Sequence, residues 1–375
     1  MGPGPSDVDP RVLRAMSTPV IGHLDPDFLA VMNDTVGMLR QVFRTQNELT
    51  LAISGTGSAG MEASLMNVLE PGDRVVVCII GFFGQRMLEI VERCGAKPVV
   101  VEAEWGKVVE PDAVRKALAG GRTKLVALVH AETSTGILQP LEEIVSIAHE
   151  HDAMVAVDAV TSLGGVAVDV DARGLDVCYS GSQKCLGCPP GLAPVTFGPR
   201  ALEALDRRSS KVHSWYLDVT VLRRYWGSER FYHHTAPISL VYALRESLRL
   251  ALEEGEAARF ERHRRLGGAL ASGLEAMGLS LFADARYRSS MLTSVRIPEG
   301  IDDLQVRRKL LSDYGLEIGG GLGKLKGSIW RIGLMGHSCR LKNLSLCLVG
   351  LGSALQSMGW KADISGALSA VDHAL

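Results

Sequence analysis

The sequence predicts an α/β protein with a doubly wound, mainly parallel sheet between helices and a smaller lobe behind it. Three observations carry that prediction. Between about residues 50 and 200, short β-branched runs alternate with segments of helical periodicity. A glycine-rich turn, Gly55-Thr56-Gly57-Ser58-Ala59-Gly60, stands where the first strand gives way to the first helix. After about residue 238 the alternation yields to a long helical stretch and then to fewer, shorter strands. At 375 residues the chain exceeds one average domain, which agrees with two lobes.

Taken in order, residues 1–20 are dense in Gly and Pro and read as an extended arm. Residues 21–240 form the large domain. Its strands are expected at Leu49 to Ile53, Arg74 to Ile80, Pro98 to Val101, Lys124 to Val129, Met154 to Val157 and Val177 to Tyr179. The helices between them are Glu62 to Leu69, Gln85 to Cys94, Glu110 to Leu118 and Leu141 to His151, the last with Leu141, Ile144, Val145 and Ala148 at helical spacing. Residues 241–375 carry the connecting helix, which belongs to a stretch from Ile238 to Gly278, and the small C-terminal domain. There, strands Ser290 to Ile297 and Ser328 to Ile332 and helices Asp303 to Tyr314 and Lys342 to Met358 are expected. In such sheets ligands bind at the carboxyl ends of the strands, so chemistry is sought in the residues that follow each strand.

Composition narrows the partners. A net charge of −2 with no run of Lys and Arg argues against nucleic acid or an anionic membrane, and no apolar run reaches the roughly 20 residues of a membrane helix. Seven cysteines, scattered through apolar stretches such as Val77-Cys78-Ile79, suit reduced thiols rather than a disulfide framework. The N-terminus lacks a basic segment followed by an apolar core, and His373-Ala374-Leu375 is not a peroxisomal address, so a cytoplasmic location is expected.

The turn at Gly55 to Gly60 matches a dinucleotide fingerprint. A ribose-binding acid should then end the second strand, yet that strand ends Ile79-Ile80-Gly81-Phe82. What survives is a helix N-terminus flanked by the hydroxyls of Thr56 and Ser58, a cradle for phosphate. Further on, Val155-Ala156-Val157 delivers Asp158 at a strand end, and Tyr179-Ser180-Gly181-Ser182-Gln183 leads to Lys184 after the next strand. Pyridoxal 5'-phosphate (PLP) needs that set: a phosphate cradle, a carboxylate for the pyridine nitrogen and a lysine for the aldehyde. Singly, Asp158 reads equally well as a helix cap or a surface loop acid, and Lys184 reads far more readily as an exposed loop lysine.

Several segments, taken together, resemble the small-substrate branch of the class V aminotransferases, the alanine-glyoxylate and serine-glyoxylate enzymes. They are Gly181-Ser182-Gln183-Lys184-Cys185-Leu186 with Pro189-Pro190-Gly191, Val157 to Ser162, His130-Ala131-Glu132-Thr133-Ser134-Thr135-Gly136, Tyr232-His233-His234-Thr235 and Trp330-Arg331-Ile332-Gly333. The opening Gly2-Pro3-Gly4-Pro5-Ser6 and Gly22-His23-Leu24-Asp25-Pro26-Asp27-Phe28 match as well. The resemblance spans nearly the whole chain and implies the PLP-dependent fold type I. It implies Lys184 as the Schiff-base lysine and proton carrier, with Asp158 as the pyridinium partner. Thr56, Gly57, Ser58 and Gln183 match phosphate contacts. Phe83 matches the aromatic that stacks on the cofactor, where many relatives carry Trp. Ser134 matches a residue near the cofactor's reactive end, Arg331 the clamp on the substrate carboxylate, and Gly4 backbone lining the substrate pocket. Tyr232 and Thr235 match groups that reach the phosphate of a neighbouring subunit, which implies a homodimer with shared sites.

The implied reaction moves the amino group of a small amino acid, alanine or serine, to the 2-oxo acid glyoxylate in two half-reactions. (S)-Ureidoglycine or another small donor, and pyruvate as acceptor, stay open. An NAD-dependent dehydrogenase rests on the glycine-rich turn alone, and a cysteine desulfurase would carry His where Gln183 stands. Cys185-Leu186-Gly187-Cys188 lacks a second metal-binding pair and His233-His234 lacks a ligand at i+4, so both read as structural.

Overall fold

The computed structural model describes residues 1–375. The principal sheet takes β1 (Leu49–Ser54), β2 (Arg74–Ile79), β3 (Lys97–Glu102) and β4 (Leu125–Val129) from the first part of the chain. A short hairpin of β5 (Ala131–Glu132) and β6 (Ile137–Leu138) follows. The sheet then resumes with β7 (Met154–Asp158), β8 (Val177–Tyr179) and β9 (Leu192–Phe197). Across the sheet the order is β1-β9-β8-β7-β4-β2-β3. Helices cover both faces, and β4 and β7 are therefore buried along their whole length, which is why they read as unbroken apolar runs. Edge strand β3 opens with Lys97 and Pro98, two residues that discourage further pairing.

Strand β9 departs from the predicted set. It runs antiparallel to both β8 and β1, making the sheet mixed rather than wholly parallel. Pro194 hides it in the sequence, since proline argues against a central strand; here Pro194 lies one residue past the last β8 pair, opposite Ala52 of β1, and its carbonyl accepts from the Ser180 amide at 2.7 Å. Two helices also precede β1 unannounced. Pro26–Phe43 starts on Asp25, whose carboxylate accepts from the Asp27 amide at 2.9 Å, and buries Phe28, Met32, Leu39 and Phe43. Pro10–Met16 lies inside the expected extended arm and buries Val12 in the same core, because Asp9 caps it and Pro10 fits its first turn.

The long helical stretch is two helices, Ile238–Glu254 and Glu256–Ala276, broken at Gly255 with φ at 81°. The first buries Val241, Leu244 and Leu248 in the core of the large sheet, while the second buries Leu266, Leu270 and Leu274 in a separate core. The change of core therefore falls at Gly255, beyond the expected boundary at residue 240. The second core is built on β10 (Leu292–Arg296), β11 (Gly319–Gly320) and β12 (Ile329–Gly333), all antiparallel in the order β10-β12-β11. Helix Asp303–Tyr314 ends where expected, between the Asp302 cap and Gly315 at φ 59°. Leu341–Ser357 and an unpredicted last helix, Ile364–Ala374, complete this lobe.

The two lobes meet through an ionic knot beside the helix break. Glu254 accepts from Arg259 at 2.8 Å and from Arg262 at 2.6 Å. Arg259 also donates to the carbonyls of Gly164 and Cys185, and Arg262 to those of Gly336 (3.0 Å) and Cys339 (2.8 Å). A cavity of 420 Å³ opens here, but the charges lining it are already matched to one another. Arg259→Ala strips two buried carbonyls of their donor, so a loss of about 3 kcal/mol is expected. The urea midpoint of the purified variant checks it, and an unshifted midpoint would show that the knot contributes nothing.

Candidate active site

The glycine-rich turn leads from β1 into helix Gly57–Val68, twelve residues long. Its cap residue Thr56 is extended, with φ −75° and ψ 174°, and makes no capping bond with its own side chain. The amides of Gly57 and Ser58 have no acceptor within the chain and open into a cavity of 260 Å³. Unpaired donors at the positive end of a helix attract an anion. Thr56, Gly57, Ser58, Phe83, Asp158, Gln183, Lys184 and Gly4 all line this cavity, which lies at the carboxyl ends of β1, β4, β7 and β8.

Asp158 ends β7 and is almost wholly buried. Its carboxylate accepts from the Val160 amide at 2.8 Å and from the Tyr179 hydroxyl at 2.9 Å. Loss of water outweighs those two bonds and pushes its pKa up to about 6. The side chain is poised for a cationic partner, such as a protonated ring nitrogen.

Lys184 stands on the loop between β8 and β9, 8% exposed. Burial, and then the neighbouring Arg331 charge, bring its pKa down to about 8. Its ammonium donates to the Pro3 carbonyl. Gly4, at φ 96°, passes so close that a Cβ there would lie 2.5 Å from Lys184 Cδ. The arm is tied down on both sides of this contact. Ser6 donates to the carbonyls of Gln183 (backbone, 2.8 Å) and Lys184 (hydroxyl, 2.9 Å), while the Gly333 amide donates to Met1 at 2.9 Å. The side-chain carbonyl of Gln183 is buried without a partner.

Arg331, from the centre of β12, is 7% exposed and has no carboxylate within 4 Å. It donates instead to the main-chain carbonyls of Gly320 (2.7 Å) and Thr133 (3.2 Å). Burial lowers its pKa to about 10, so it remains charged at neutral pH. A buried guanidinium satisfied only by carbonyls keeps the charge and the planar fork that pair with a small carboxylate.

Four of the expected residues, Ser134, Arg331, Tyr232 and Thr235, do not line this cavity. Ser134 does not reach the cavity: its hydroxyl donates to Glu132 at 2.7 Å and accepts from the Phe82 amide at 2.9 Å, and Thr133 lines the cavity in its place. Successive residues of this turn point opposite ways, and sequence alone does not say which faces inward. Tyr232 and Thr235, expected at a neighbouring subunit's site, are exposed here and stand 3.4 Å apart through their hydroxyls. His233 stacks on Trp215 at 4.3 Å and His234 bonds Ser54 at 2.7 Å, while Cys185 and Cys188 are buried with raised thiol pKa values.

Sequence reasoning missed Glu132 and Arg86. Glu132 is buried at the end of β5 and accepts from the amides of Phe83 (3.0 Å), Gly84 (3.3 Å) and Ser134 (3.0 Å), thereby capping helix Phe82–Arg93 from outside. Burial raises its pKa. An acid three residues beyond the buried run Leu125 to Val129 was the available signal. Gly81 is required here, since any Cβ would strike Glu132 and Ser134. Arg86, on the same helix, lines the cavity beside Ser58.

A mainly parallel sheet carrying an amide cradle, a strand-end acid and a buried lysine defines a PLP enzyme of fold type I. Residues 11–340 match the profile described as aminotransferase class-V, and the chain belongs to that family. The structure of ureidoglycine-glyoxylate aminotransferase from Bacillus subtilis superposes with a TM-score of 0.97 at 45% identity, covering 100% of this chain and 97% of that one. Alanine-glyoxylate aminotransferase from Nostoc sp. superposes with a TM-score of 0.93 at 48% identity, covering 95% and 94%. Among sequences, alanine-glyoxylate aminotransferase of Callithrix jacchus is 39% identical over 95% of this chain and 87% of its own. The chain is an aminotransferase with PLP as its cofactor. Its residues fit that group: an open amide pair, an orphaned Gln183 carbonyl, a buried acid and a buried lysine converge on one cavity.

The raised pKa of Asp158 has a consequence for the apoprotein. The folded form binds the proton more tightly than the unfolded chain, so this contribution to stability is complete below about 4 and is lost as pH rises through 6. At pH 7 the buried charge costs on the order of 3 kcal/mol. Asp158→Asn is expected to stabilise the apoprotein at pH 7 by up to about that amount and to lose the advantage below pH 4. Urea unfolding across pH 4 to 7 tests this, and a difference that does not change with pH would refute the assignment.

Proposed function

We propose that this aminotransferase moves the amino group of a small amino acid, alanine or serine, to glyoxylate. The observation that carries the reading is Arg331, a buried guanidinium with no carboxylate of its own, beside a lysine walled in by the Gly4 backbone. One fork and little room suit substrates with a single carboxylate and a short side chain. Both a small donor and a two-carbon acceptor meet that description, so one clamp serves both half-reactions.

Bound PLP supplies the electron sink that draws charge from the donor's α-carbon. In this proposal Lys184 carries the cofactor and Asp158 keeps its ring nitrogen protonated. Thr56, Gly57, Ser58 and Gln183 hold the phosphate, and Phe83 lies against the ring. Lys184 then moves the proton at the donor's α-carbon; its lowered pKa leaves part of the amine neutral near pH 7, as a base requires. Thr133, at the cavity wall, takes the place expected of Ser134, and Gly4 limits the donor's side chain.

A second reading has its own support. Ureidoglycine-glyoxylate relatives match the chain as well as the alanine group does, at 45% against 48% identity in structure, so (S)-ureidoglycine is the rival donor. A panel of alanine, serine and (S)-ureidoglycine against glyoxylate and pyruvate decides. Alanine or serine with glyoxylate should exceed the other pairs by at least ~10-fold in kcat/KM. The reverse ranking would transfer the assignment to ureidoglycine, and no transfer to glyoxylate from any donor would defeat it. Arg331→Lys should retain the visible absorbance of bound PLP while kcat/KM falls about 100-fold for donor and acceptor alike.

The functional unit we propose is a homodimer in the cytoplasm. Seven buried free cysteines support a reducing compartment. Trp215, Tyr216, Phe231 and Tyr232, each 41% exposed or more, support a partner surface next to Thr235. Light scattering should give about twice the 40.3 kDa chain mass, and Tyr232→Ala should weaken PLP binding. A 40.3 kDa species that binds PLP fully would overturn the shared site.

A further inference from the structure

Only two cations line the cavity, Lys184 and Arg86, and the ammonium of Lys184 is engaged by the Pro3 carbonyl. Arg86 lies in the first two turns of helix Phe82–Arg93. Its guanidinium carbon stands 5.3 Å from the centre of the Phe82 ring and 5.1 Å from that of Phe83. It makes one polar contact, donating to Ser58 Oγ at 3.2 Å, and has no carboxylate within 4 Å. By contrast Arg93, on the same helix, bonds Glu89.

We propose that Arg86 is a phosphate-binding residue that supplies the formal positive charge of the cofactor cradle. This rests on the reading of Thr56 to Ser58 as the phosphate site. That cradle otherwise consists of neutral groups, two backbone amides, the hydroxyls of Thr56 and Ser58 and the Gln183 side-chain amide, whereas a phosphate monoester carries nearly two negative charges at pH 7. The two aromatic faces hold the guanidinium at the cavity wall without neutralising it. Its contact with Ser58 directs it to the end of the cavity where the free amides point. A charge-assisted bond here is worth roughly twice a neutral one.

The competing role is mechanical: Arg86 could only prop Phe83. The two separate when binding of PLP and of pyridoxal, which lacks the phosphate, to the apoprotein is compared by absorbance titration, with inorganic phosphate as competitor. Arg86→Gln should weaken PLP binding by about 10- to 100-fold, leave pyridoxal within about twofold, and abolish competition by phosphate. Arg86→Lys, keeping the charge without the fork, should recover part of the loss and serves if the glutamine variant does not fold. Equal weakening of PLP and pyridoxal, or none, overturns the proposal. If phosphate fails to compete even in the unsubstituted protein, the phosphate reading of Thr56 to Ser58 falls; if it competes equally in both, only the role of Arg86 does.

Discussion

The constraint on which the site depends is the burial of four ionisable groups, Asp158, Glu132, Lys184 and Arg331, around one end of a sheet. Each is expensive to take out of water, and no two of them form an ion pair within 4 Å. The chain answers with neutral partners. Asp158 takes an amide and a hydroxyl, Glu132 three amides and a hydroxyl, Lys184 a carbonyl, and Arg331 two carbonyls. Dipoles hold these charges in place without cancelling them, and the displaced pKa values of Asp158 and Lys184 measure what is left over.

That arrangement explains why the lobes and the arm are so closely joined. Arg331 lies between Trp330 and Ile332 of the second core but bonds Thr133 of the large sheet's hairpin, so its position relative to Lys184 depends on how the lobes are held. Two fastenings hold them. On one side Arg259 and Arg262 share Glu254 and reach the carbonyls of Cys185 and Gly336. On the other, the first seven residues bond Gln183 and Lys184 in the large domain and Gly333 and Ser338 in the small one. Lys184 and Cys185 are adjacent, so both fastenings converge on the loop that carries Lys184. The arm is thus a wall of the cavity and a strut between the lobes at once.

Much of the framework was legible in the sequence because the parallel strands are buried on both faces and leave unbroken apolar runs. β7 and β8 were located within a residue, and with them Asp158 and Lys184. What escaped had physical reasons. Pro194 disguised β9, whose one missing donor is tolerable only beyond the end of β8. The helix ahead of β1 follows a Gly- and Pro-rich start that looks like continuing coil. Residues whose role depends on placement rather than type were invisible too: Thr133 and Ser134 are interchangeable on paper, yet Thr133 lines the cavity and the Ser134 hydroxyl bonds a buried glutamate.

Glu132 shows how such a hidden residue shapes the chemistry. It fixes the start of helix Phe82–Arg93 through the amides of Phe83 and Gly84, and so sets where the Phe83 ring and the Arg86 guanidinium meet the cavity. An ordinary capping residue would sit just before the helix, but Gly81 occupies that place because no Cβ fits against Glu132 and Ser134. The cap is therefore supplied from the hairpin after β4, which also carries Thr133 against Arg331. One turn of chain consequently registers the aromatic wall, the basic edge and the carboxylate clamp with respect to each other. This registration is made through the backbone of Phe83 and Gly84 and not through the Phe83 ring.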